Sequence, residues 1–129
     1  MKIALIGYGK MGQEIEKVIA DSKKHEIVSV SFRTVNDSLD IDGIKKADVA
    51  IDFTSAEIIL KNIEEISGLG IDMVVGTSGW YDNLKEVEEM VKKSDIGLIY
   101  GQNFAVGTNI FFKLVALAAK LAAKYGDYD

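Results

Sequence analysis

The sequence predicts an α/β protein in which helices cover both sides of a doubly wound parallel sheet, in one domain of 129 residues. Two observations support this prediction. Short apolar runs rich in β-branched residues alternate with stretches of helical periodicity. The runs are apolar on both faces, as expected for strands of a parallel sheet buried between helices. Right-handed crossovers between such strands produce a doubly wound sheet.

The predicted elements follow one another as strand and helix along the chain. Apolar residues at helical spacing from Met11 to Ile19 support the first helix, and Gly68 ends the second long helix. Residues 33–47 are polar and are expected to hold at most a short helix. The predicted strands are 2–7, 26–32, 48–53, 71–76 and 96–100, and the predicted helices are 11–24, 55–68, 81–94 and 106–124.

Composition excludes several kinds of site. The chain has no cysteine, so it can form neither a disulfide nor a thiolate metal site, which is typical of a reducing, cytoplasmic compartment. The single histidine, His25, precedes the second strand and is interpreted as a solvated turn residue, and no metal site is predicted. A net charge of −5 argues against a nucleic-acid partner held by phosphate contacts.

No segment predicts insertion into a membrane. The amino-terminal residues lead directly into a short apolar run without the cleavage site of a signal peptide. The most apolar segment, 109–124, is interrupted by Lys113, Lys120 and Lys124, which share one helical face. This segment is therefore predicted to be a helix buried in a soluble protein. Part of its apolar surface is expected to stay uncovered and to cause self-association or marginal solubility.

Three glycines mark the turn between the first strand and the first helix. Gly7, Gly9 and Gly12 have G-x-G-x-x-G spacing. In a dinucleotide-binding turn the first glycine permits the tight turn, the second lets the backbone approach the pyrophosphate, and the third lets helix and strand pack closely. The helix N-terminus then presents N–H groups to the anion. The context predicts a Rossmann-type dinucleotide site, and an ordinary tight turn is the alternative.

The end of the second strand bears on the choice of cofactor. NAD-type sites place an acid there for the ribose hydroxyls, whereas this chain has Phe32 followed by Arg33. An arginine without that acid fits the 2′-phosphate of NADP, which a guanidinium can bind with two hydrogen bonds. NADPH is therefore the predicted cofactor, with NADH possible. The alternative is an exposed arginine on a polar loop.

Three later loops follow strand ends on the side where a crevice is expected. They are DFTSAE (52–57), GTSGW (76–80) and GQNFAVGTN (101–109). Their small and hydroxyl-bearing residues suit close contact with a ribose or a nicotinamide amide. Each loop could instead serve only as a helix cap, and Thr54 or Ser55 is a suitable N-cap for the following helix.

Two residues of these loops allow a second interpretation. Asp52 could act as a general base, but helix capping or turn stabilisation is favoured for a carboxylate at the end of a strand. Trp80 could be either a packing anchor or a lid over the cofactor.

Together these motifs resemble the cofactor-binding half of the 4-hydroxy-tetrahydrodipicolinate reductase family of the diaminopimelate and lysine pathway. The matching stretches are Lys10-Met11-Gly12, Asp52-Phe53-Thr54, Gly76-Thr77-Ser78-Gly79 and residues 101–109. The last of these is the most specific, and the resemblance covers essentially the whole chain. Phe32 departs from the pattern, since it replaces the ribose-binding acid of the family.

The resemblance implies roles for the matching positions. The glycine turn binds the pyrophosphate, the end of the second strand lies near the adenosine 2′-position, and the later loops flank the nicotinamide, its ribose and its carboxamide. The implied cofactor-binding residues are Gly7, Tyr8, Gly9, Lys10, Met11, Gly12, Arg33, Phe53, Thr54, Gly76, Thr77, Ser78, Asn103 and Phe104.

The resemblance also implies an activity that this chain does not contain in full. The family transfers a hydride from a nicotinamide dinucleotide to a cyclic, imine-like dicarboxylate, and the full-length form is expected to be a homo-oligomer. Its second domain, which binds the small dicarboxylate substrate, has no counterpart here. Residues 1–129 are therefore interpreted as a dinucleotide-binding domain without a catalytic residue of its own. The alternatives are the cofactor half of another dehydrogenase, acting on an amino acid or a polyol, and a non-catalytic nucleotide-sensing module.

Overall fold

The computed structural model describes residues 1–32, 34 and 36–125. Its strands are β1 (Lys2–Ile6), β2 (Glu26–Ser31), β3 (Val49–Asp52), β4 (Asp72–Val75) and β5 (Leu98–Tyr100), and its helices are α1 (Lys10–Ser22), α2 (Ile41–Ile44), α3 (Ile59–Ser67), α4 (Leu84–Ser94) and α5 (Val106–Ala122). A 3-10 turn, Tyr81–Asn83, leads into α4. Among the described residues of the polar stretch 33–47, the only helix is the four-residue α2, as predicted.

The strands form one parallel sheet in the order β2-β1-β3-β4-β5. Because β2 and β3 lie on opposite sides of β1, the winding of the chain reverses direction at β1. The prediction of a doubly wound sheet is confirmed. In such a sheet a ligand crevice lies beyond the carboxyl ends of the strands on either side of this reversal, here β1 and β3.

Helices pack on both faces of the sheet, but unequally. One face buries Ile6, Ala50 and Met73 against α3 and α4, and Ile59 and Ile63 of α3 are fully buried there. Complete burial of an isoleucine side chain contributes about 1.5–3 kcal/mol. On the other face a smaller cluster joins the side chains of Ile3 and Leu5 of β1 to that of Ile19 of α1. Most of the core therefore lies on the face covered by α3 and α4.

The second predicted long helix begins four residues later than expected. Residues 55–58 form a turn in which the N–H groups of Ile58 and Ile59 donate to the carbonyl of Ser55, and the N-cap, Ile58, makes no side-chain capping bond. The alternative interpretation, in which Thr54 or Ser55 caps this helix, is therefore wrong. The hydroxyl of Thr54 instead donates to Asp52, 2.8 Å away.

Trp80 is a packing anchor. Its side chain is 2% exposed, belongs to the main core cluster, and donates from Nε1 to the carbonyl oxygen of Thr77 at 2.7 Å. A lid over a ligand would need an exposed ring, so the alternative interpretation of Trp80 is wrong.

Helix α5 forms where it was predicted, but it is not buried. None of its residues is buried, and the side chains of Phe111 and Leu114 are 61% and 59% exposed. The expectation of a helix buried in the protein is therefore wrong for the described residues. Apolar composition predicts that a helix needs a packing surface, but it does not specify where that surface lies. No helix within the described ranges is long and apolar enough to cross a membrane.

Candidate functional site

A crevice opens at the carboxyl ends of β1, β3, β4 and β5. It contains two adjoining cavities of about 310 and 320 Å³, which share Met11, Phe53 and Gly76 in their walls. The first cavity is also lined by Gly9, Lys10, Thr54, Thr77 and Ser78, and the second by Gln102, Asn103, Phe104 and Ala105. The fold thus brings together, at one edge of the sheet, most of the cofactor-binding residues implied by the sequence.

The glycine turn combines two glycines that the fold requires with one that it does not. Gly7 has φ +88°, and a Cβ on it would lie 2.3 Å from the carbonyl oxygen of Phe53. A Cβ on Gly12 would lie 2.4 Å from the carbonyl oxygen of Gly7, so helix and turn are in close contact there. A Cβ on Gly9 would meet nothing within 4 Å. Folding alone therefore does not account for a glycine at position 9.

The start of α1 suits an anion. Gly9 is its N-cap and supplies no side-chain capping bond, and the first turn contains no acidic residue. The first N–H groups of a helix have no acceptor within the helix, and the helix dipole favours negative charge at this end. Lys10 adds a cation to the wall of the cavity. The N-terminus of α1 therefore presents donors and positive potential to the crevice.

The ring of Phe53, in the loop after β3, contacts the loops after β4 and β5. Its ring is so close to Gly76 that a Cβ there would lie 2.0 Å from the ring atom Cε1. The ring of Phe104 lies edge-on to it, with 6.1 Å between ring centroids, and is 44% exposed. These aromatic side chains and Met11 give the crevice an apolar wall beside the polar donors of the turn.

Asp52 lies beneath the crevice at the centre of a hydrogen-bond network. Its side chain is fully buried. Oδ1 accepts from the N–H of Thr54 at 3.0 Å, from the hydroxyl of Thr54 at 2.8 Å and from the hydroxyl of Thr77 at 2.8 Å. Oδ2 accepts from Nδ2 of Asn62 at 2.8 Å. The favoured interpretation of Asp52 as a turn-stabilising residue is confirmed, and the same carboxylate also joins the loops after β3 and β4.

Asn62 is the member of this network that the sequence interpretation missed. It lies on α3 and is fully buried. The available signal was an asparagine among Ile59, Ile63 and Ile66, on the face of an amphipathic helix that packs on the core. A buried amide in such a position needs a polar partner, and here the partner is Asp52.

The two threonines direct their side chains inward. The hydroxyl of Thr77 donates to Asp52 and accepts from the N–H of Thr54 at 2.8 Å, and Thr77 is only 6% exposed. The hydroxyl of Thr54 also donates to Asp52 and lies 3.2 Å from Nδ2 of Asn62. The hydroxyl groups of Thr54 and Thr77 are thus engaged within the protein, whereas Ser78 is exposed.

The pKa of Asp52 provides the first test of this network. Burial raises the pKa of this carboxyl above its usual value of 3.8, although four hydrogen bonds oppose the rise. The folded chain therefore binds a proton at a pH where the unfolded chain has lost it. This contribution to stability is complete below about pH 4 and is lost as the pH rises through the folded pKa.

The expected result is a pH-dependent difference between the wild type and Asp52→Asn. The free energy of unfolding of the wild type, minus that of the variant, should decrease from pH 4 towards pH 7, as measured by urea denaturation at each pH. A difference that stays constant over this range would contradict a raised pKa.

The other end of the crevice, beyond β2, has an aromatic wall. The rings of Tyr8 and Phe32 meet edge to face with centroids 4.9 Å apart, and Phe32 is 67% exposed. The hydroxyl of Tyr8 donates to Glu16, and this hydrogen bond raises the pKa of the tyrosine. Arg33, the predicted ligand of the adenosine 2′-phosphate, lies outside the described residues, so its role stays a prediction.

The opposite edge of the sheet contains His25 and a larger open depression of about 550 Å³. His25 is exposed, and its Nδ1 lies 3.4 Å from the amino group of Met1. The interpretation of His25 as a solvated turn residue is confirmed. The described ranges contain no group of three or more acidic, histidine or cysteine side chains that could hold a metal ion.

Comparison with known proteins identifies the family. Residues 1–104 match the family described as dihydrodipicolinate reductase, N-terminus. The chain is 39% identical, over 131 aligned positions, to the 4-hydroxy-tetrahydrodipicolinate reductase of Christiangramia forsetii, covering 100% of this chain and 53% of that protein. Identity to the reductase of the same name from Methanocaldococcus jannaschii is 33%, covering 93% of this chain and 42% of that protein.

A solved structure shares the fold. The dipicolinate-bound dihydrodipicolinate reductase from Paenisporosarcina sp. TG-14 superposes with a TM-score of 0.73 at 23% identity, over 92% of this chain and 53% of that one. The chain thus spans about half the length of the curated relatives it matches. The chain belongs to the dihydrodipicolinate reductase family, in which it corresponds to the N-terminal, nucleotide-binding part.

Proposed function

We propose that this chain binds NADPH in the crevice and, together with a substrate-binding part, reduces a cyclic, imine-like dicarboxylate by hydride transfer. The observation that supports this most is Gly9, which faces open space at the N-terminus of α1 while Gly7 and Gly12 are enclosed by backbone. A pyrophosphate fits there because its oxygens can accept from the free N–H groups of the helix. Lys10 contributes a further charge.

The nicotinamide half fits the cavities formed by the later loops. Gly76 leaves no room for a side chain beside Phe53, so the backbone itself forms the surface. Asn103 and Phe104 line the neighbouring cavity, whose wall is largely apolar. A bound nicotinamide supplies the hydride, and the residues of this chain bind and orient it.

Arg33 is proposed to set the preference for NADPH. One charge-assisted hydrogen-bonded contact contributes about 1.5–3 kcal/mol, which corresponds to roughly 10- to 100-fold in affinity. Arg33→Ala is therefore expected to remove most of the preference for NADPH over NADH in fluorescence titrations. Lys24→Ala, which removes an exposed cation away from the crevice, serves as the control and should leave the ratio unchanged. Equal affinity of the wild type for both cofactors would contradict the proposed role.

The substrate class is proposed from the relatives. The matched proteins are named 4-hydroxy-tetrahydrodipicolinate reductases, and the solved neighbour holds dipicolinate, a cyclic dicarboxylate. The described residues of the crevice offer the cation Lys10 at the pyrophosphate turn, and the buried Asp52 is enclosed by its own partners. Binding of the two substrate carboxylates and protonation of the product amine are assigned to the part of the relatives beyond the match. A cytoplasmic location and a homo-oligomeric full-length enzyme belong to the same proposal.

The 129-residue chain alone is expected not to catalyse reduction of the substrate. Hydride transfer needs a substrate held in near-attack geometry and a proton donor. The measurement is a steady-state assay with NADPH and freshly generated 4-hydroxy-tetrahydrodipicolinate, with a longer relative as the positive control. Substrate-dependent oxidation of NADPH at about 1 per second or more, the range typical of an enzyme, would show that the chain is catalytically sufficient.

A further inference from the structure

Asp52 is a fully buried carboxylate to which the proposed hydride transfer assigns no chemical step. Its partners Thr54 and Thr77 form part of the wall of the 310 Å³ cavity. The carboxylate therefore lies one layer of side chains beneath the surface that would contact the nicotinamide half of a dinucleotide.

Burial raises the pKa of Asp52, but the hydrogen-bond donors around it oppose that rise and favour its ionised form. An N–H group donates to each oxygen, from the backbone of Thr54 to Oδ1 and from Nδ2 of Asn62 to Oδ2. An N–H of an amide cannot act as an acceptor for a carboxylic acid proton. Within residues 1–32 and 36–125, no lysine or arginine forms an ion pair with this carboxylate. Among the described residues its hydrogen-bond partners are neutral donors, and its charge is not cancelled by an ion pair.

We propose that the charge of Asp52 biases the crevice towards the oxidised, cationic form of the nicotinamide relative to the reduced, neutral form. This inference rests on the proposed binding of NADPH. Loss of a hydride, which removes one proton and two electrons, leaves the ring with a positive charge. A fixed negative charge beneath the site attracts that cation and has no corresponding attraction to the neutral ring. Asp52 thus acts as a positioning residue for two loops and also favours hydride donation electrostatically.

The magnitude follows from Coulomb's law. Two unit charges about 10 Å apart, at the effective dielectric of about 20 that describes protein sites, interact strongly enough to change an equilibrium about tenfold. The charge of Asp52 changes the ratio of the affinities for the oxidised and reduced cofactor. Loss of loop positioning weakens the binding of both forms by the same factor. The two roles of Asp52 can therefore be separated by measurement.

The experiment compares the 129-residue wild type with Asp52→Asn, which removes the charge at almost constant size and keeps an acceptor oxygen for Thr54. Dissociation constants for NADP⁺ and NADPH are measured by calorimetry at pH 8. The ratio of the constant for NADP⁺ to that for NADPH should rise about tenfold in the variant, which is about 30 mV for a two-electron couple. Asp48→Asn removes an exposed charge from the residue before the amino end of β3 and should leave the ratio unchanged.

A second control keeps the charge and removes a donor. Thr77→Val deletes the hydroxyl that donates to Asp52, so it should weaken the binding of NADP⁺ and of NADPH by the same factor. If Asp52→Asn does not fold, Asp52→Ser gives the same neutral comparison. An unchanged ratio in the neutral variant, or an equal shift in Thr77→Val, would overturn the charge effect. A wild type that binds neither form would instead refute the proposed function.

Discussion

Gly9→Val is expected to lose NADPH binding while keeping the fold. A Cβ at this position meets nothing within 4 Å in the protein, so the valine is expected to occupy space that is open to the crevice. There it would displace the pyrophosphate from the N–H groups of α1. Loss of two charge-assisted hydrogen bonds, at about 1.5–3 kcal/mol each, corresponds to at least about 100-fold in affinity. Fluorescence titration gives the affinity, and thermal unfolding checks the fold.

Gly12→Val is the matched comparison within the same turn. Its Cβ would lie 2.4 Å from the carbonyl oxygen of Gly7, so helix and turn would have to separate. This variant should lower the unfolding temperature clearly, whereas Gly9→Val should not. Unchanged NADPH affinity in a folded Gly9→Val protein would show that the pyrophosphate does not bind at this turn.

Trp80→Ala is expected to be the most destabilising of the substitutions considered. The indole is 2% exposed, stacks on Tyr81 with 5.1 Å between centroids, and meets Tyr100 edge-on at 5.3 Å. Removal of a buried tryptophan side chain costs about 3–5 kcal/mol, compared with a total stability of about 5–15 kcal/mol for a typical domain. Urea denaturation monitored by circular dichroism gives the free energy of unfolding.

Trp80→Phe separates packing from hydrogen bonding. It retains an aromatic ring in the core and loses the N–H that donates to the carbonyl of Thr77. A smaller loss of stability is expected, about 1–3 kcal/mol for an acceptor left without its donor. A loss below about 1 kcal/mol in Trp80→Ala would contradict the anchor role, because cavity formation alone exceeds it.

The sheet and the glycine turn could be predicted because their signals are local. Each strand is a short apolar run, and the turn depends on three glycines within six residues. The start of α3 was missed because the hydroxyl of Thr54 bonds to Asp52 rather than capping the helix. Which of these hydrogen bonds Thr54 forms depends on how the loop folds back against the end of β3.

The network beneath the crevice and the environment of α5 depend on contacts between distant segments. Asn62, Asp52 and Thr77 meet only after three elements have packed, and nothing in their spacing along the chain brings them together. The apolar side chains of α5 predicted a helix but not its exposure. In both cases the periodicity of apolar residues identifies a helix and its apolar face. Which residues pack against that face depends on the whole fold.

The exposure of α5 also has a consequence for the exchange of its amide protons with solvent. A helix of 17 residues with no buried side chain is held mainly by its own backbone hydrogen bonds. Most of the stability of a helix in a protein comes from tertiary packing, so without it the fraying of a few turns suffices to release the amide protons. The amides of β1 and β3, at the centre of the sheet, exchange only when the domain opens as a whole. The chain therefore contains two levels of kinetic protection, and α5 can lose its helical structure while the nucleotide-binding body stays folded.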